Sequence, residues 1–122
     1  AWPKAAFSAK SVQGAMKGLF GSDSSTASDA IKIKAPDIAE NGAVVPVSVN
    51  TSITGVNQIA LITEHNANPL ACSFEMGPTT KGFISTRLKM SKTSDVIAVV
   101  QAGGKRYAAR KNVKVTIGGC GG

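Results

Sequence analysis

The sharpest chemical signal in this 122-residue chain is its end, Gly118-Gly119-Cys120-Gly121-Gly122. A thiolate is a nucleophile, and it forms and exchanges sulfur–sulfur bonds without a metal. Four glycines around one thiol contribute no side chain to a core and lose more entropy on ordering than any other residue type. They suit a slender stalk. Extended at about 3.3–3.6 Å per residue, Gly118 to Cys120 would carry the sulfur about 10 Å past the preceding residues, into a narrow cavity of another protein. The pattern predicts covalent attachment at Cys120. Two plainer readings stand beside it: one half of a disulfide, and a frayed glycine-rich terminus.

Other reactive side chains are sparse. Cys72 shares the parity of Phe74 and Met76 in a strand-like run, which predicts a core-facing, inert thiol. An intrachain disulfide would have to draw Cys120 back onto that interior position, within narrow geometric limits. His65 is the single histidine, and strand alternation would put its neighbour Glu64 on the opposite face. That arrangement lacks the spaced ligands of a metal site and predicts a surface or loop histidine. There is no Cys-x-x-Cys, no phosphate-cradling glycine loop and no serine nucleophile elbow. Asn50-Thr51-Ser52 matches a glycosylation triplet. Asp23, Asp29, Asp37 and Asp95 are scattered as turn or cap residues. With no catalytic constellation, the chain is expected to carry or bind rather than turn over a substrate, and to need no metal or cofactor.

The composition narrows the partners. With 43% hydrophobic and 17% charged residues the chain is globular rather than disordered. No apolar run approaches the ~20 residues of a membrane span. A net charge of +7 raises nucleic acid as a partner, but the basic residues form no dense run. Nor do Trp2, Phe7, Phe20, Phe74, Phe83 and Tyr107 interleave with them as a stacking platform. A positive field equally favours small anions and acidic proteins, and that is the reading adopted. Ala1 in place of Met suggests a processed, mature form.

The elements that must position the thiol follow from periodicity. Ala5, Ala9, Val12, Met16 and Leu19 fall on one face of a single predicted helix over Trp2–Phe20, with Pro3 in its first turn and Gly21 just past its end. A polar connector, Gly21–Asp29, follows. Seven β-type runs come next: Ile31–Lys34, Ala43–Asn50, Val56–His65, Ala71–Met76, Gly82–Met90, Asp95–Ala102 and Lys105–Ile117. Pro46 points to an edge strand or bulge, and Gly103-Gly104 to a two-residue hairpin. In the last run Tyr107, Ala109, Val113, Val115 and Ile117 share one face, and Arg106, Ala108, Arg110, Lys114 and Thr116 the other. The basic face either guides anionic adducts or simply solvates the strand.

The predicted fold is mainly β: an immunoglobulin-like antiparallel sandwich of about seven strands, with an N-terminal helix and a flexible glycine-rich tail. The Cys…Trp…Cys signature of true immunoglobulin domains is absent, so the architecture carries no immune function. The expected division is 1–29 helix and connector, 30–117 sandwich, and 118–122 arm.

The strand Val113-Lys114-Val115-Thr116-Ile117 running into a terminal Gly-Gly-Cys-Gly-Gly resembles the C-terminus of the SoxY family. These are the sulfur-carrier subunits of the bacterial Sox thiosulfate-oxidising system. The helix, the length of the sandwich and the loop Asn68-Pro69-Leu70-Ala71 before Phe74 are similar in kind. The resemblance implies Cys120 as the site of covalent sulfur attachment, with Gly118, Gly119, Gly121 and Gly122 as a swinging arm. It implies export to the periplasm and a heterodimer with SoxZ, a small β-sandwich subunit without the carrier cysteine. It also implies transient visits to SoxAX, a haem protein that conjugates thiosulfate to the cysteine, and to SoxB, a manganese hydrolase that releases sulfate. In some systems SoxCD oxidises the remaining sulfane sulfur. No family role falls on Cys72.

Two rivals belong to other classes. One is an interaction module whose Cys120 only forms an intermolecular disulfide in a homodimer. The other is a thiol redox enzyme with Cys72 as resolving cysteine, which its predicted burial opposes. The surface that meets a partner is left between the helix face and the strand carrying Pro46.

Overall fold

The computed structural model describes residues 3–77 and 81–116. The N-terminal segment forms two helices rather than one: α1 (Lys4–Ser8) and α2 (Val12–Phe20). Ala9 is extended, at φ −61° and ψ 146°, and Ser11 caps the second helix by accepting the Gly14 N–H at 3.0 Å. This break resets the helical phase, so Ala6 is buried and Ala5 exposed, the reverse of a continuous helix. The two helices fold together closely. A Cβ on Gly18 would lie 2.8 Å from the Ala6 Cα, so that approach requires glycine. Gly21 ends α2 at φ 77°, with its N–H donating to the Lys17 carbonyl.

All seven expected strands are present: β2 (Ile31–Lys34), β4 (Val45–Thr51), β5 (Val56–Thr63), β6 (Leu70–Glu75), β7 (Phe83–Leu88), β8 (Ser94–Ala102) and β9 (Lys105–Val115). The polar connector and the loop after Pro36 add two short ones, β1 (Thr26–Ala27) and β3 (Ile38–Ala39). Both pair parallel with β9, on the flank away from β8. The connector is thereby tied to the sheet. The larger sheet runs β1-β9-β8-β5-β6, with β3 alongside β9, and the smaller runs β2-β4-β7. Gly103 and Gly104, at φ 58° and 75°, make the tight hairpin between β8 and β9.

These elements stack as three layers. Ile59, Leu61, Val96, Ala98, Val100 and Val113 of the larger sheet meet Val45, Val47, Val49, Ile84 and Leu88 of the smaller. Its opposite face, with Ala60, Ile62, Leu70, Ile97 and Val99, packs on Ala6, Ala15 and Met16 of the helices. Strands buried on both faces need apolar residues at every position. That is why Ile59-Ala60-Leu61-Ile62 and Val96–Val100 show no alternation, whereas β2, covered on one face only, alternates as Ile-Lys-Ile-Lys.

Pro46 does not mark an edge strand. β4 lies in the middle of its sheet, paired with β2 on one side and β7 on the other. A proline is accommodated there because β2 stops at Lys34, opposite Ser48, so Pro46 lies beyond its last paired residue.

Candidate functional site

The arm expected at Gly118, Gly119, Cys120, Gly121 and Gly122 lies outside the described residues, as does Ile117. Its mount is described. β9 is a long strand whose final residues are held from two sides. The Lys114 N–H donates to the Asp37 carbonyl at 2.9 Å and the Thr116 N–H to the Ala39 carbonyl at 3.1 Å. Between them the Val115 N–H points the other way, to the Thr93 hydroxyl at 2.9 Å. Alternating amides of an extended chain face opposite flanks, so one strand end can be clamped by a strand and a loop at once. Nothing in the local sequence marks Asp37, Ala39 or Thr93 for this work, since the first two act through a backbone carbonyl and the third through one hydroxyl that bonds both the N–H and the carbonyl of Val115.

The predicted parity of β9 is present. Tyr107, Ala109, Val113 and Val115 pack against the inter-sheet core, and Ala108 packs on the helical side. Both arginines of the basic face are committed to the fold. Arg110 reaches Asp95 at 2.8 Å and Glu64 at 3.0 Å, and Asn112 completes the Asp95 carboxylate at 3.1 Å. These contacts, the hydrogen bond with Glu64 first, hold the Arg110 guanidinium more firmly protonated than usual. Arg106 donates to the Ser24 carbonyl at 3.0 Å, fastening the connector. Lys111 bonds Asp37 at 2.6 Å and lowers that carboxyl below its ordinary range, first through the hydrogen bond.

His65 and Glu64 are not on opposite faces of a strand. β5 ends at Thr63, and the turn that follows brings the His65 Nε2 within 3.7 Å of a Glu64 oxygen. The histidine is exposed, as expected for a loop residue, with Nδ1 3.0 Å from the Thr93 carbonyl. Among the described residues no three His, Cys, Asp or Glu side chains converge as a metal site would require.

Cys72 faces the inter-sheet core with Phe74 and Met76, as their shared parity requires. It sits on β6, the edge strand of the larger sheet, and is half-buried. Burial raises its thiol from 9.0 to about 11, partly offset by a backbone hydrogen bond at Leu61. The folded state therefore favours the protonated thiol. That preference stabilises the fold below about pH 9 and is lost as the pH climbs through about 11. Denaturant unfolding at pH 8 and pH 11 should show a steeper alkaline loss for the native chain than for Cys72→Ala; equal losses would remove Cys72 from the alkaline response. At neutral pH the same shift leaves about 100-fold less thiolate than in an ordinary cysteine, so alkylation at Cys72 should be slow until the chain unfolds.

The chain is matched by the family model described as sulfur oxidation protein SoxY over residues 16–120, a span that ends on Cys120. No curated relative matches it significantly. Among solved structures it is similar to the sulfur carrier protein SoxY from Chlorobium limicola f thiosulfatophilum, at 48% identity and a TM-score of 0.79. That similarity covers 94% of this chain and 100% of the Chlorobium one. A chain from a study of T cell specificity and activation by the bacterial superantigen toxic shock syndrome toxin-1 aligns at 8% identity and a TM-score of 0.51, covering 70% of this chain and 99% of its own. At that identity the likeness is one of fold alone. The family match extends from α2 to the terminal thiol and the Chlorobium similarity spans both sheets, so the chain belongs to the SoxY family of sulfur oxidation proteins.

Proposed function

We propose that this chain is a sulfur carrier that holds thiosulfate-derived sulfur covalently on Cys120 and presents it to successive enzymes of thiosulfate oxidation. One observation carries the reading: a protein described as a sulfur carrier is 48% identical along its whole length. The terminal Gly-Gly-Cys-Gly-Gly supplies the chemistry that such a role needs. Gly118, Gly119, Gly121 and Gly122 then form the arm, and the clamped end of β9 forms its base.

In the loading step the Cys120 thiol and thiosulfate join through a new sulfur–sulfur bond, releasing one proton and two electrons. A haem protein of the SoxAX type accepts the electrons. In the unloading step water attacks the terminal sulfone sulfur, the bond between the two outer sulfurs breaks, and sulfate and a proton leave. A persulfide remains on Cys120. A SoxB-type hydrolase performs this step with its own metal, and SoxCD, where present, oxidises the persulfide sulfur further. The carrier needs no cofactor, since the redox and metal centres belong to the enzymes it visits. One thiol must enter several unrelated active sites, so recognition beside it is best confined to backbone, which glycine exposes. We further place the chain in the periplasm, paired with a SoxZ-like subunit, with the enzymes as transient partners.

The test is intact mass with mapping of the C-terminal peptide, after incubation with thiosulfate and purified SoxAX. A reductant-labile addition of thiosulfate mass on the Cys120 peptide is expected. An unmodified thiol after full incubation would overturn the carrier reading, and a Cys72–Cys120 crosslink would do the same.

A further inference from the structure

The smaller sheet presents an outward face that combines cations, hydroxyls and a hollow. Its three strands, Ile-Lys-Ile-Lys, Val-Pro-Val-Ser-Val-Asn-Thr and Phe-Ile-Ser-Thr-Arg-Leu, contain no acidic residue. The inward positions fill the core, and the outward positions form a grid in register. Lys34, Ser48 and Ser85 make one row, and Lys32, Asn50 and Phe83 the next. Pro46 beside Arg87 completes the grid. Lys32, Lys34 and Arg87 are exposed, and none takes part in an ion pair among the described residues. By contrast Arg110 and Lys111 of β9 are neutralised by Glu64, Asp95 and Asp37. Every charge on this sheet is positive.

The shape of the face also suits contact. Small side chains, Ser48 and Ser85, leave its centre low, and a hollow of about 440 Å³ opens there beside Lys34, Pro36 and Pro46. The two prolines have no N–H to prolong pairing between β2 and β4. The hollow also adjoins the base of the arm, because Pro36 precedes Asp37, whose carbonyl takes the Lys114 N–H. Cys120 stands four positions beyond Thr116, a greatest reach of about 13–14 Å at 3.3–3.6 Å per residue. A protein resting on this face is therefore within range of the sulfur.

We infer that the outward face of the smaller sheet, centred on Lys32, Lys34 and Arg87, is the surface on which a carboxylate-rich patch of the thiosulfate-loading enzyme docks. The inference rests on the carrier reading and adds to it a partner chemistry and a place. A face of three cations, hydroxyls and one exposed aromatic ring is too polar for a permanent interface, whose buried centre is depleted of charge. It fits a short-lived encounter, in which opposite potentials raise the association rate without a large apolar contact to undo afterwards. A carrier that must leave each enzyme needs that kind of contact.

The experiment measures binding of the full chain, carrying Cys120→Ser so that no chemistry intervenes, to immobilised SoxAX across a range of salt. Lys32→Glu/Lys34→Glu/Arg87→Glu is compared with Lys4→Glu/Lys10→Glu/Lys17→Glu, which makes the same change in net charge on the helices. The sheet variant should bind at least about tenfold more weakly, mainly through a slower association rate that no longer falls with salt. The helix variant should stay within about threefold of the parent. A milder set, Lys32→Gln/Lys34→Gln/Arg87→Gln, removes the charge without introducing repulsion and should lose part of the affinity with its melting midpoint retained. Equal losses in the sheet and helix variants would reduce the effect to net charge and overturn the docking face. No binding by the parent chain would overturn it too, as would tighter binding to a DNA duplex than to the enzyme. Thiosulfate loading of the Cys120-containing chain, measured alongside, reports separately on the carrier reading.

Discussion

Cys120→Ser is expected to abolish every thiosulfate-dependent, reductant-labile mass gain on the chain, with its melting midpoint and denaturant midpoint unchanged. The substitution replaces one sulfur by oxygen, and a hydroxyl cannot form the sulfur–sulfur bond on which loading depends. The described core is built from residues of the two sheets and two helices before position 117, and one sulfur exchanged for oxygen in the terminal motif should move stability by no more than about 0.5 kcal/mol. Two companion variants sharpen the result. Cys72→Ala should load normally, which separates a carrier from a two-cysteine redox enzyme. On the proposed arm role, Gly119→Val or Gly121→Val should keep the thiol but slow loading or unloading, because a branched side chain would widen and stiffen a stalk proposed to enter confined sites. Full loading of Cys120→Ser would locate the adduct elsewhere and end the arm reading. Unchanged turnover of both valine variants would leave the thiol and discard the slender stalk.

The largest effect on stability is expected at Leu61→Ala. Leu61 is fully buried at the middle of β5, between Ala98 on β8 and Cys72 on β6, with its side chain in the inter-sheet core. Truncating a buried leucine loses transfer free energy and leaves a cavity that its neighbours fill only in part, about 2–5 kcal/mol in all. Set against a total of about 5–15 kcal/mol for a domain, that is a large share. Urea unfolding should show a clear drop in midpoint at unchanged slope, whereas Ser85→Ala, on an exposed position of β7, should move it little. A change under about 1 kcal/mol at Leu61 would mean that the core around Cys72 collapses readily around the lost side chain.

The seven long strands were legible because side chains alternate with period two and because turn residues separate the runs. Cys72 could be assigned to the core by parity with Phe74 and Met76 for the same reason. What escaped notice was short or distant. β1 and β3 have two residues each, too few to display any period, and their parallel partner lies far along the chain. The break between α1 and α2 did leave a mark, since Ser11 before Val12 is a good helix cap. It was masked by apolar residues whose spacing still fitted one continuous helix. Pro46 misled because a proline reports a missing backbone partner at one position, not the place of the whole strand in its sheet. The Arg110 network could not be read at all, because Glu64 and Asp95 come to it from two other strand ends. The terminal motif offers chemistry through one thiol among glycines, and it lies outside the described residues. The residues that brace its mount were not legible, since backbone carbonyls look alike at every position.

The bracing of β9 has a mechanical meaning. All nine residues of β8 pair with it on one flank, and β1 and β3 grip the other. A pull applied at Val115 along the strand loads those rungs in shear, all sharing the tension, instead of peeling them apart one by one. On the proposed carrier role, force that withdraws the Cys120 thiol from an enzyme's cavity would be spread over the whole width of the sheet, and the tail should slip free before the strand slips in its own sheet.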